Sequence, residues 1–198
     1  DVDGDGRPEV LIGAPGVDAG GRANAGRVYL YSSASGTILH QWDGASADDA
    51  FGGSVSLGAD ASGDGRPDVA VGARRPGVAG SGTAHLFSGA TTGVPLLSWT
   101  APAAGDGFGW SVAIVPDTNG DGRADVLVGS PIVSVAGMSS AGRAYLYSGV
   151  TGAQLQVWSW TAAGNRLGES VAGGPDVDRD GRGDVLLGDG APGDADVD

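Results

Sequence analysis

Asp60-Ala-Ser-Gly-Asp-Gly-Arg-Pro-Asp68 runs straight into Val69-Ala-Val-Gly72, an acidic glycine-turned loop feeding a short apolar stretch. The chain carries the same arrangement three more times. The matching loops are Asp1-Val-Asp-Gly-Asp-Gly-Arg-Pro-Glu9, Asp117-Thr-Asn-Gly-Asp-Gly-Arg-Ala-Asp125 and Asp176-Val-Asp-Arg-Asp-Gly-Arg-Gly-Asp184. Their starts lie 59, 57 and 59 residues apart, and each leads into an apolar run: Val10–Gly13, Val126–Gly129 and Val185–Gly188. A fixed period of this size marks a repeat architecture.

Other features keep the same beat. Phe51-Gly-Gly-Ser-Val55, Phe108-Gly-Trp-Ser-Val112 and Leu167-Gly-Glu-Ser-Val171 precede loops two to four. Gly26-Arg-Val-Tyr-Leu-Tyr-Ser32, Gly82-Thr-Ala-His-Leu-Phe-Ser88 and Gly142-Arg-Ala-Tyr-Leu-Tyr-Ser148 follow loops one to three, and Trp42, Trp99 and Trp158 close the units. Each period thus holds four apolar runs of five to seven residues, separated by Gly, Pro, Asp and Ser. Such runs read as strands, and four per repeat is the pattern of propeller blades. A β-sandwich would not require one motif at a constant period. The 39 glycines fit many short strands with tight turns.

The spacing predicts one β-propeller segment over residues 1–198, with repeat units of about 1–59, 60–116, 117–175 and a partial 176–198. The chain opens at the second strand of one blade and stops after the second strand of another, about three and a half blades. Closed propellers have four to eight, so the expectation is a piece of a larger propeller. No signal peptide precedes Asp1, which suits a mature piece of something longer.

Each loop has nine positions, with side-chain oxygens at positions one, three, five and nine. These are Asp1, Asp3, Asp5 and Glu9; Asp60, Ser62, Asp64 and Asp68; Asp117, Asn119, Asp121 and Asp125; and Asp176, Asp178, Asp180 and Asp184. Position six is always Gly (Gly6, Gly65, Gly122, Gly181), where a sharp turn needs positive φ. Position seven is always Arg (Arg7, Arg66, Arg123, Arg182), whose backbone carbonyl is a further candidate ligand. Alternate oxygens around a glycine turn suit a hard cation, and calcium better than magnesium, which resists dehydration. The absence of His or Cys near the loops disfavours zinc and copper. An EF-hand is excluded, because its twelfth position is acidic and here holds Ile12, Val71, Val128 and Leu187.

Asp-Gly clusters also form turns without metal, but four loops with oxygens at the same positions favour about four calcium ions per chain. Ser62 makes loop two the expected weakest site, and loops one and four the tightest. Fourteen of the 24 acidic residues are candidate ligands, and four calcium ions would bring the formal charge from -13 to -5.

The net charge disfavours nucleic acid as a partner. No apolar run is long enough to span a bilayer, and no disulfide or thiolate site is possible without cysteine. Weak calcium loops fill only where calcium is plentiful, which points outside the cell and fits a secreted, bacterial surface protein.

These residues resemble the FG-GAP repeat, the blade unit of the integrin alpha-subunit propeller and of bacterial surface proteins. The naming dipeptide stands as Phe51-Gly52 and Phe108-Gly109 and is altered to Leu167-Gly168. The Gly-Ala-Pro part is intact at Gly13-Ala14-Pro15, altered at Gly72-Ala73-Arg74 and Gly129-Ser130-Pro131, and displaced at Gly188–Pro192. The resemblance implies a calcium-stabilised propeller, with the loop between the first and second strands of a blade, that binds a protein or glycan ligand at one face.

Two other readings stand beside an adhesion module. One is the propeller of a secreted polysaccharide-acting lyase or hydrolase. The acids outside the loops (Asp48, Asp49 and Asp106) show no convergent pattern, so no catalytic residue is assigned. The other is a structural repeat pairing with further blades or copies of itself. The strand aromatics are expected to pack between blades, and His40 and His85 to be structural. Trp110 and Trp160 break the pattern and are candidates for sugar or partner contact. Arg74-Arg75 is a candidate contact for an acidic partner, and Arg182-Gly183-Asp184 spells an adhesion tripeptide by coincidence, since Asp184 is needed as a ligand.

Overall fold

The computed structural model describes residues 1–74, 82–103 and 105–190. Arg75 and the Ala191-Pro192 pair lie outside the described residues. Thirteen strands and no helix occur among them. They are β1 (Val10–Ala14), β2 (Arg27–Tyr31), β3 (Ile38–Asp43), β4 (Phe51–Leu57), β5 (Val69–Ala73), β6 (Thr83–Phe87) and β7 (Leu97–Thr100). After them come β8 (Ser111–Val115), β9 (Asp125–Ser130), β10 (Arg143–Tyr147), β11 (Gln154–Ser159), β12 (Ser170–Gly174) and β13 (Asp184–Gly188).

The strands form four antiparallel sheets in sequence order: β1-β2-β3, β4-β5-β6-β7, β8-β9-β10-β11 and β12-β13. These are propeller blades, two of them with all four strands. Loops two to four each join the first strand of a blade to the second, between β4 and β5, β8 and β9, and β12 and β13, while loop one leads into β1. A unit counted from loop to loop therefore straddles two sheets.

Apolar clusters lie between the sheets. Val28, Leu30 and Trp42 of the first blade meet Phe51, Val69, Val71 and Phe87 of the second. Ala70, Leu86 and Trp99 of the second meet Phe108, Val112, Val126, Val128 and Tyr147 of the third. Leu127 and Leu146 of the third pack with Val171 and Leu187 of the fourth. Strands covered on both faces, such as β5 and β9, are buried along their whole length and so read as continuous Val-rich runs.

The repeated aromatics act as inter-blade wedges, as the repeat predicts. Trp42 lies 5.5 Å from Phe87, and Trp99 stacks on Tyr147 at 5.1 Å. His85 bonds Thr83 and Ser98 through its two ring nitrogens, a structural role. Near the axis, Ser54 and Ser56 of β4 accept the N–H groups of Val112 and Ile114 of β8, so two inner strands are tied by hydroxyls.

The Phe-Gly and Gly-Ala-Pro motifs have one physical cause. A Cβ placed on Gly13 would lie 2.0 Å from the carbonyl oxygen of Gly52, and one on Gly72 only 2.1 Å from that of Gly109. The two motifs are the two sides of a backbone contact between neighbouring blades.

Candidate metal centres

All four acidic loops are wired alike. The carboxylate at position one accepts the N–H of the glycine at position six: Gly6 to Asp1 (2.8 Å), Gly65 to Asp60 (3.0 Å), Gly122 to Asp117 (2.7 Å) and Gly181 to Asp176 (2.9 Å). Those glycines have φ of 85°, 83°, 81° and 88°, the left-handed turn that position six predicts. The carboxylate at position five accepts the arginine N–H at position seven, as from Arg7 to Asp5 and Arg123 to Asp121. The acid at position nine reaches back to the N–H of position two, from Val2 to Glu9 (2.8 Å), Ala61 to Asp68 (2.9 Å), Thr118 to Asp125 (3.0 Å) and Val177 to Asp184 (2.6 Å).

This wiring turns the acids inward. Oxygens of Asp1, Asp3, Asp5 and Glu9 come within 4.8 Å of one another, as do those of Asp176, Asp178 and Asp184, with Asp180 outside that cluster. In loop two, Ser62 bridges Asp60 and Asp68 at 3.4 Å each. In loop three, the Asn119 side-chain nitrogen donates to Asp121 (3.0 Å) and Asp125 (3.3 Å). Position three therefore draws the acids together in every loop, by convergence or by bridging.

The chemistry of this donor set fits a hard cation. Asp68 and Asp125 are fully buried, and among the described residues neither has an ion-pair partner. Burial pushes both carboxyls up, against the hydrogen bonds from Ser62 and Ala61 to Asp68 and from Thr118 to Asp125. At position one the balance reverses. Burial would raise Asp60 and Asp117, but the glycine N–H groups of each loop outweigh it and hold both below the usual carboxylate range. Loop four differs at position four, where Arg179 takes φ of 65° in place of a glycine, a left-handed conformation that costs about 1 kcal/mol.

The arginines at position seven do more than offer a carbonyl. Arg66 donates to the Val2 carbonyl (2.6 Å), and Arg123 pairs with Asp60 (3.1 Å). Each side chain reaches the loop of the preceding blade, so neighbouring centres are linked. The repeat of arginine at this position was the signal in the sequence, although it does not say where the side chain points.

The remaining candidates are dispersed. Trp110 lies beneath two guanidinium groups, Arg74 at 4.7 Å and Arg166 at 5.6 Å, while Trp160 is exposed. Asp184 of the adhesion tripeptide is engaged by Val177 N–H, and the Gly183 N–H bonds the Asp117 carbonyl. Asp48 and Asp49 lie between β3 and β4, and Asp106 between β7 and β8. No helix among the described residues is long and apolar enough to cross a membrane.

A family model for the FG-GAP repeat matches residues 1–31, 51–87 and 108–147, more than half of the chain. Phosphatidylinositol-glycan-specific phospholipase D of Bos taurus is 30% identical over 75% of this chain and 20% of its own length. Integrin alpha-IIb of Mus musculus is 33% identical over 66% of this chain and 14% of its own length. Integrin alpha-PS2 of Drosophila melanogaster is 36% identical over 47% of this chain and 7% of its own. The chain thus spans a fifth or less of these relatives. Among solved structures, Bacillus licheniformis rhamnogalacturonan lyase PL11 superposes with a TM-score of 0.58 at 19% identity, covering 95% of this chain and 38% of that one. At that identity the likeness shows the fold alone.

Proposed function

The chain belongs to the FG-GAP repeat family, and from that premise we propose that it is a calcium-stabilised propeller module working outside the cell, where it binds a protein or glycan ligand. The observation that carries this is the shared wiring of the four loops, which gathers the acids of loops one and four and buries Asp68 and Asp125 with no ion-pair partner among the described residues. Calcium would be held by the acids at positions one, five and nine, the oxygen at position three and the carbonyl at position seven. Held there, calcium would neutralise the loop acids and brace the turn between the first two strands of a blade. The integrin relatives support binding to other proteins as the role. The phospholipase likeness favours a propeller attached to an enzyme as the second reading.

The test is a thermal melt in excess calcium and in chelator, with calorimetric counting of bound ions. A higher melting temperature with about four ions per chain supports the proposal, the count resting on the four loops. Indifference to calcium would make the loops mere turns.

The stabilisation should also depend on pH in a defined direction. The carboxyls of Asp68 and Asp125 are raised in the ion-free fold, so that fold binds protons there more tightly than the unfolded chain does. Their contribution to ion-free stability is thus largest below the ordinary carboxylate pKa of about 4, and is lost as pH rises through the raised value. Calcium competes with those protons. The calcium-induced rise in melting temperature should therefore shrink as pH falls towards about 4, as melts across a pH series with and without calcium would read out.

A further inference from the structure

Three hairpins join the third and fourth strands of successive blades, and one is a residue longer than the others. Ser32 to Trp42 and Ser148 to Trp158 span the same interval, whereas Ser88 to Trp99 holds one residue more and includes Pro95. The two shorter turns close identically, by Ser32 N–H to Thr37 with Gly36 N–H to Ser32, and by Ser148 N–H to Ala153 with Gly152 N–H to Ser148. In the longer turn the closing bond is instead Leu96 N–H to Leu86.

The difference matters to the tryptophan of the preceding blade. The Trp99 indole N–H donates to the Gly152 carbonyl of the third blade's turn at 2.9 Å. Trp42 faces the longer turn, and its indole nitrogen is buried with no hydrogen-bond partner. A cavity of about 630 Å³ lies beside it, walled by Trp42, Phe51, His85, Phe87, the Gly93–Pro95 turn and Asp49. This size is in the range of small-molecule sites.

Asp49 is 5% exposed. One of its oxygens accepts the Ser46 N–H at 2.7 Å, while the other is buried and has no partner. Nearby Asp43 is already neutralised by Arg27 (2.8 Å), and among the described residues no cation pairs with Asp49. Burial lowers the His85 pKa, so that ring adds no positive charge near neutral pH. An unpaired buried carboxylate oxygen is costly, and aromatic walls attract cations.

We infer that this cavity between the first and second blades is a binding site for an organic ammonium group, from a lysine side chain of a partner protein or from a free amine. The ammonium answers Asp49, its methylene arm lies along Phe51 and Phe87, and the Trp42 N–H is left for an acceptor on the same ligand. The inference rests on the binding-module reading and gives it one ligand chemistry.

The test uses the calcium-loaded chain, titrated calorimetrically with cadaverine and with N-acetyl-lysine methylamide, against 1-pentanol and a methyl pyranoside as uncharged probes. The Trp42 indole N–H resonance is followed in parallel. Saturable binding of an ammonium probe, a shift of that resonance and at least about a tenfold loss in Asp49→Asn support the site. Preference for the lysine amide points to a protein partner, and for the diamine to a free amine. No saturable binding of either ammonium probe, equal binding of the uncharged probes, or binding unchanged in Asp49→Asn would overturn it. Should Asp49→Asn fail to fold, deletion of Val94, which restores the shorter turn, decides the matter: binding should vanish. The melt of the same sample with and without calcium reports separately on the module reading.

Discussion

Replacing Asp125 by Asn should lower the melting temperature by about 10 °C in calcium and by far less in chelator. Asp125 is fully buried at the end of loop three. Its carboxylate accepts the N–H of Thr118 (3.0 Å) and of Gly149 (3.2 Å), and is also bonded by the Thr118 hydroxyl. It thereby joins its own loop to the hairpin that follows β10. In calcium the asparagine removes a charged ligand from a buried centre, and removing one partner of a buried ionic pair costs about 3–5 kcal/mol. In chelator the carboxylate is itself a burden, because burial has already pushed its pKa up, and a neutral amide relieves part of that cost. The gap between the two conditions is the signature. Equal losses in both would mean that Asp125 is a hydrogen-bonding strut and that loop three holds no ion. Asp106→Asn, a carboxyl also raised by burial but outside the loops, is the control and should not respond to calcium.

Much of this architecture could be read from the repeat, for a physical reason. Neighbouring blades pack in the same way, so Phe51 and Phe108, or Trp42 and Trp99, occupy corresponding positions between blades and recur at a constant interval. The loop acids were legible for the same reason, since one backbone path demands one set of acceptors at positions one, five and nine. What recurs without revealing its direction was not legible. Arg66 and Arg123 repeat faithfully, yet only the fold shows that they cross to the preceding loop. What does not recur was hidden altogether. The extra residue before Pro95 is a single-position departure whose consequence is the unanswered indole of Trp42 in a different blade. Trp110 likewise stood out as a break in pattern, but its two arginines come from Arg74 and Arg166, one on each side of it in the chain.

Gly72→Ala, the exchange of a single hydrogen for a methyl group, is expected to destabilise the chain by about 3 kcal/mol or more. The added methyl would lie 2.1 Å from the Gly109 carbonyl oxygen and 3.4 Å from Val112. The first of these is backbone, so no rotamer change removes the clash, and the second and third blades must separate. Separation is expensive because the cluster between them includes Leu86, Trp99, Phe108, Val126 and Val128, all buried. Gly16→Ala is the matched control, since a Cβ there has nothing within 4 Å, and it should be close to neutral. Urea unfolding of both variants in calcium reads the difference. If Gly72→Ala proved as mild as Gly16→Ala, the blades would be loosely stacked and the Phe-Gly and Gly-Ala motifs would need another cause. If it is severe, the two motifs are one feature, a backbone contact that leaves no room for a side chain on either sheet.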